Sequence, residues 1–292
     1  MSSTHKRHLV HRQALPNVDS IEELLRCFEA GQVASLDAEL VLADSARRWR
    51  MDFLREHFAA KKVFRFDRVA TGTRKPPCSS LIELCESLSA LGDQPPKLDG
   101  NLFRFPHGVI NSRRLCRSAL VHPRFAKCFG ATVSFVWIGV SAGTFHRDVF
   151  NNVLVQVQGR KRVTVFPPDV SRSIAQKHHI ELRRVEDVFA EPNLERFPQL
   201  AECPWFQVEL NEGDALVIPS GAFHSVVALT PDAVSINCFG TPAAFGKHYL
   251  GQHARKLGWL PWWMMNVGIQ LSRLTYSMLG KPMIRTGAYE LM

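Results

Sequence analysis

From about residue 101 the hydrophobic period of the chain becomes two. The segments NLFRFP, ATVSFVWIGV, NNVLVQVQ, KRVTVFPP, WFQVEL, DALVIPS, HSVVALT and AVSINCFG follow one another up to residue 240, with Gly, Pro or Asp between them. Successive side chains of extended backbone point to opposite faces, so each short segment can offer one face to a shared core. Seven or eight such segments in a row predict packed antiparallel sheets, as a sandwich or a barrel.

Ahead of this block the spacing is mostly helical. NVDSIEELLRCFEAGQ reads as a capped helix, with Asp19 or Ser20 before acidic first-turn residues and Gly31 after the last apolar position. DSARRWRMDFLREHFAAKK reads as one further helix with Trp49, Phe53 and Phe58 near one face. KVFRFDRV alternates like a strand, SSLIELCESLSALG returns to helical spacing, and GDQPPKLDG is a loop or boundary. The expected organisation is a basic arm over 1–18, a helical and mixed region over 19–99 packing on the core, a β core over 100–242 and a helical tail over 243–292. That tail contains LGWLPWWMMNVGIQLSRLTYSMLGK, in which Pro261, Asn266, Gln270 and Arg273 interrupt the apolar run. A buried helix is expected there, not a stable transmembrane insertion.

The 292 residues carry a formal net charge of +9, with lysines and arginines scattered in pairs instead of gathered in one block. The balance suits an acidic partner such as RNA and equally an ordinary basic surface. Seven cysteines form no CxxC pair, and the odd count argues against both a disulfide framework and a structural zinc site. The basic start lacks the apolar stretch of a secretory signal, so an intracellular compartment, cytoplasmic or nuclear, is expected.

The chemistry concentrates in GTFHRDVFNNVLVQVQGRKRVTVFPPDV, residues 143–170. In an extended HxD triplet, His146 and Asp148 share one side while Arg147 faces away, which makes a two-ligand metal clamp. With twelve histidines in the chain the triplet alone is a weak signal and needs a third ligand. His224, opening the strand after DALVIPSGAF, supplies an imidazole. Two histidines and one carboxylate leave adjacent coordination positions free, an arrangement suited to iron(II). Lys161, after the QGRK turn and on a strand expected to pair with NNVLVQV, is a candidate cation for a dicarboxylate co-substrate; the same GRKR run also fits a solvated hairpin turn. His178 and His179 fall in an expected loop and read as surface residues.

In order and spacing, HxD at 146–148, the NNVLVQVQGRKRVTVFPPDV block, EPNLERFP at 191–198, GDALVIPSGAFH at 213–224 and Asn237 in SINCF resemble the JmjC-type, cupin-fold oxygenases that use iron(II) and 2-oxoglutarate. The resemblance covers roughly residues 100–240 and implies a mainly β fold with flanking helices, built on a double-stranded β-helix, the jelly roll of cupins. It further implies that His146, Asp148 and His224 bind iron, that Lys161 anchors the distal carboxylate of 2-oxoglutarate, and that Asn152 and Asn237 hydrogen-bond around the co-substrate. Oxygen would be the second co-substrate. The implied activity is hydroxylation of a protein or peptide side chain, with a modified tRNA nucleoside as the alternative, and the tail over 243–292 would pair two subunits. Three positions depart from the family pattern. Gly143 stands where a threonine is usual, with Thr144 one residue later; Arg147 replaces an aromatic residue between the ligands; and Phe103 and Phe105 stand in the segment that usually supplies a tyrosine. These departures make a non-catalytic cupin-like binding protein the alternative from another functional class.

Overall fold

The structure, a computed structural model, describes residues 15–67, 78–92, 105–111, 121–129, 133–141, 146–148, 151–171, 198, 200 and 203–240. In chain order its elements are β1 (Asn17–Val18), α1 (Ile21–Ala30), β2 (Ala34–Asp37), α2 (Asp44–Arg47), α3 (Met51–Phe58), β3 (Lys62–Arg65), β4 (Cys78–Ser80), α4 (Leu81–Ser89), β5 (His107–Asn111), α5 (Pro123–Phe129), β6 (Val133–Gly139), β7 (His146–Arg147), β8 (Asn151–Gln158), β9 (Lys161–Phe166), β10 (Phe206–Leu210), β11 (Asp214–Ile218), β12 (Phe223–Ala228) and β13 (Val234–Gly240). Residues 1–14 of the expected arm over 1–18, the segment 172–197 with His178 and His179, and the tail over 243–292 with its dimerisation role lie outside the described residues, whereas Asn17 and Val18 of the arm form β1 against β2.

The strands form two sheets. One has nine strands in the order β1-β2-β11-β8-β13-β6-β5-β3-β4, and the other has four in the order β10-β9-β12-β7. All pairings are antiparallel except β1 with β2. Leu154, Leu216 and Ile218 of the large sheet bury against Val163, Val165 and Leu210 of the small one, which joins the two layers. On the opposite face of the large sheet, Val153, Val155, Val217, Ile236 and Val136 meet Leu24 and Phe28 of α1, Leu54 of α3, Leu81, Leu84 and Leu88 of α4, and Phe125 of α5. The molecule is therefore mainly β with helices flanking one sheet, and its core is the expected jelly-roll sandwich.

Because both faces of the large sheet are covered, β8 is buried along almost its whole length, and its sequence still alternates. Val153, Val155 and Val157 point to the helices, while Asn152, Leu154 and Gln156 occupy the intervening positions. The polar letters of NNVLVQVQ are thus placed in the interior.

Helices α1 and α4 follow their sequence signals closely. Ser20 caps α1 by accepting from Glu23 N, and Gly31 ends it at φ 67°. Ser80 and Glu83 make a reciprocal capping box on α4.

The single helix expected over DSARRWRMDFLREHFAAKK is instead two, α2 and α3, broken at Arg48–Arg50. Arg50 is extended, and Met51 N donates to Gln158 Oε1 at 2.7 Å, so a side chain from β8 replaces the intrahelical acceptor. The break lets Trp49 bury itself against Phe58, with ring centroids 5.5 Å apart. Sequence pattern also missed β2 and β5. β2 spans four residues and pairs with β11; β5 begins only after Phe105.

Strands β8 and β9 are consecutive but lie in different sheets, which corrects the expected pairing of Lys161's strand with NNVLVQV. β9 pairs with β10 and β12, whereas β8 pairs with β11 and β13. The chain crosses between layers at Gly159, where φ is +69° and an added Cβ would lie 2.2 Å from Thr230 Oγ1. Gly159→Ala combines left-handed strain with this clash and is expected to cost at least about 1–3 kcal/mol. Urea unfolding checks this: the midpoint should fall with an unchanged slope, and an unmoved midpoint would show that the crossing does not need glycine.

Candidate metal centre

Strands β7 and β12 pair with His146 directly opposite His224 and Arg147 opposite Phe223. The two imidazoles lie with centroids 4.3 Å apart at an interplanar angle of 50°. Asp148 follows at the end of β7, with Oδ1 3.9 Å from His146 Nε2 and Oδ2 3.5 Å from His224 Nε2. One donor atom from each of the three residues falls within 4.8 Å of the others, and among the described residues this is the only such group. Asp148 and His224 are buried, whereas about a third of the His146 side chain remains exposed.

The state of His224 follows from its surroundings. Burial, with a smaller contribution from neighbouring His146, pushes its pKa down to about 4 against the opposing effects of Asp148 and the Ala222 carbonyl. At neutral pH the ring carries one proton. Ala222 O lies 3.0 Å from Nδ1, so the proton sits there and the Nε2 lone pair turns toward Asp148. Asp148 is held in turn, because Asn152 Nδ2 donates to its Oδ2 at 3.3 Å and Asn237 Nδ2 donates to Asn152 Oδ1 at 3.2 Å. The two asparagines singled out in the sequence therefore form a buried relay that ends on the carboxylate.

Lys161 lies deeper between the sheets. It is 2% exposed, and its Nζ meets Ser235 Oγ of β13 at 2.6 Å. Desolvation pulls its pKa down to about 7, and among the described residues no carboxylate pairs with it. The layer crossing at Gly159 produces this contact, since it carries Lys161 into the sheet opposite β13. The GRKR run is thus no free basic patch, because Arg160 and Arg162 both engage Glu209.

Thr144, Gly143 and Phe103 lie outside the described residues, as does most of EPNLERFP. Phe105 packs toward the helical cluster, and its carbonyl lies 2.8 Å from Nδ1 of the buried His107. Sequence reading missed Ser235, although it stands two residues before Asn237 on the same strand and so on the same face. His107 was missed too, because β5 begins two residues after the phenylalanine that drew attention.

The sequence profile of the cupin-like domain matches residues 5–242. The chain belongs to the cupin-like domain family. This cupin-like protein is 36% identical over 95 residues to the tRNA wybutosine-synthesizing protein 5 of Gallus gallus, a match covering 32% of this chain and 28% of that protein. It is 35% identical over 113 residues to the HSPB1-associated protein 1 of Rattus norvegicus, covering 36% and 23%, and 29% identical over 110 residues to the JmjC domain-containing protein A of Dictyostelium discoideum, covering 37% and 43%. The chain thus spans less than half the length of each of these relatives. The affiliation with JmjC-type cupins read from the sequence holds.

Within this cupin-like barrel the donor set fits a divalent first-row metal ion. It offers two imidazole nitrogens and one carboxylate oxygen, with no thiolate in the cluster, which suits iron(II) with adjacent positions left for other ligands. Among the described residues no helix is long and apolar enough to cross a membrane, and Cys27, Cys78, Cys85, Cys203 and Cys238 form no disulfide among the described residues.

A lysine held below its ordinary pKa by burial weakens the fold. The unfolded chain binds the proton more tightly between about pH 7 and 10, so this group's contribution to stability rises with pH across that window. Lys161→Met is therefore expected to raise the melting temperature of the metal-free protein by a few degrees at pH 7 and to have less effect at pH 10. Calorimetry at the two pH values checks this; a destabilised variant at pH 7 would mean that the amine has an anionic partner in the folded protein.

Proposed function

We propose that this cupin-like protein is an iron(II)- and 2-oxoglutarate-dependent hydroxylase acting on a protein or peptide side chain. The observation that carries the reading is the pairing, inside one barrel, of the His146, Asp148 and His224 cluster with a buried lysine amine whose partner is a neutral hydroxyl. A cation placed so deep, without a carboxylate among the described residues, is suited to receiving one from a small dicarboxylate. The JmjC name of the Dictyostelium relative supports the same class.

His146, Asp148 and His224 would hold the metal from one side and leave the opposite side to small ligands. When bound, iron(II) with 2-oxoglutarate supplies the oxidising chemistry: oxygen and 2-oxoglutarate are consumed, carbon dioxide and succinate leave, and a substrate C–H becomes C–OH. Lys161 would fix the distal carboxylate at the depth of Ser235, and Asn152 and Asn237 would keep the Asp148 carboxylate oriented. Phe135 and Phe239, edge to face at 5.9 Å, lie on strands beside Asn237 and Asn152 and help to keep water out. Thr144 would complete the co-substrate contacts from the segment before His146.

A tRNA nucleoside is the second reading, favoured by the name of the Gallus gallus relative. A steep log–log loss of tRNA binding with salt, against weak binding to peptides, would support it. Release of succinate and carbon dioxide from 2-oxoglutarate in the presence of iron(II) and ascorbate tests the activity itself. Asp148→Ala should lose at least about 100-fold of the turnover, and Lys161→Ala should raise KM for 2-oxoglutarate at least about tenfold while leaving metal binding in place. No turnover above the Asp148→Ala control with peptide or tRNA substrates would favour the non-catalytic binding protein.

The same amine sets a pH dependence. Free Lys161 is charged below about pH 7 and largely neutral above it, so binding an anion at higher pH requires uptake of a proton. The apparent affinity for 2-oxoglutarate should weaken between pH 7 and 9, by up to about tenfold per unit. Titration calorimetry checks this, and an affinity that stays flat or strengthens with pH would remove Lys161 from the anchor role.

A further inference from the structure

The turn before His224, Pro219 to Phe223, has all its available backbone N–H groups occupied. Ala222 N donates to Pro219 O at 3.1 Å within the turn, and Gly221 N donates to the Asp148 carbonyl at 2.9 Å. The other two are taken by side chains from distant parts of the chain. Ser220 N donates to Asn151 Oδ1 at 2.8 Å, and Phe223 N donates to Ser171 Oγ at 2.8 Å. Asn151 and Ser171 are each 0% exposed. The Ser171 hydroxyl is itself fixed, because it lies 2.9 Å from Phe166 O and 2.8 Å from Pro167 O.

We propose that Asn151 and Ser171 are positioning residues for the metal centre, which set the orientation and tautomer of His224 through the backbone of this turn. The inference rests on the metal-binding reading above. Its physical chain is short: the two side chains fix the turn, the turn fixes the Ala222 carbonyl, and that carbonyl lies 3.0 Å from His224 Nδ1, leaving Nε2 for the ion. A backbone carbonyl can orient a ligand only as well as its own peptide is held. Among the described residues Asn151 also leaves its Nδ2 buried without a partner, an arrangement that costs stability. Its retention fits a position occupied for the sake of its acceptor oxygen. Because Asp148 also receives a bond from Gly221, the same turn ties the carboxylate ligand to the histidine ligand across the two strands.

Cobalt(II) alone, followed by its visible absorption and by titration calorimetry on the full chain, reads ligand geometry without catalysis. Ser171→Ala and Asn151→Ala are each expected to weaken cobalt affinity about 10–100-fold and to change the absorption bands. Ser171→Thr, which keeps the hydroxyl, should return affinity to within about threefold of the parent. Ile236→Val, which trims the core on the helical face, serves as a control that lowers the melting temperature without moving cobalt affinity. If Ser171→Ala does not fold, Asn151→Ala decides alone. Parent-like affinity and spectrum in the folded alanine variants would overturn the positioning role. A parent protein that binds no cobalt, or binds it equally with His224→Ala, would instead overturn the metal reading beneath it.

Discussion

Inside a two-layer β sandwich whose faces are both covered, a polar side chain must be hydrogen-bonded by its neighbours or by a ligand. The barrel described here keeps Asn151, Asn152, Gln156, Lys161, Ser235, Asn237, Asp148 and His224 buried at that depth. Most of them answer the requirement in a directed way. Asn237 donates to Asn152, Asn152 to Asp148, and Asp148 faces two imidazoles, so the satisfied network converges on three donor atoms. The site is where this chain of hydrogen bonds ends.

Lys161 is the cation among these buried groups. Its amine has a hydroxyl where a buried ammonium would normally have a carboxylate, and burial draws its pKa down to about 7. Such a group is tolerated when a bound anion completes it. The fold places it by a single device, the layer crossing at Gly159, which puts β8 and β9 in opposing sheets so that the lysine spans the gap to β13. The cost to the metal-free fold and the gain for an anionic ligand are two sides of the same burial.

Much of this could be read from residue pattern, because strand alternation and the HxD triplet are local signals. The period-two segments from ATVSFVWIGV to AVSINCFG correspond to β6, β8, β9, β10, β11, β12 and β13, and the structure brings His146, Asp148 and His224 within reach of one ion. What failed was information carried by tertiary contact. The break between α2 and α3 depends on Gln158, more than a hundred residues away, accepting from Met51 N. The partner of β9 depends on which layer the chain enters after Gly159, and neither QGRK nor the strands beside it specify that. Asn151 stands in the polar cluster after HxD, but neither its role nor that of Ser171 could be read from pattern, because both act on backbone N–H groups of a distant turn. Residues 19–99, expected to pack on the core, also contribute β2, β3 and β4 to its larger sheet through strands too short for periodicity to register.

The most direct measurement is anomalous diffraction at the iron edge from crystals grown without oxygen in the presence of iron(II). The account requires one strong peak bound by His146 Nε2, His224 Nε2 and an Asp148 oxygen at about 2.0–2.2 Å. An iron peak held by other residues, or no peak while the three side chains turn away from one another, would contradict it.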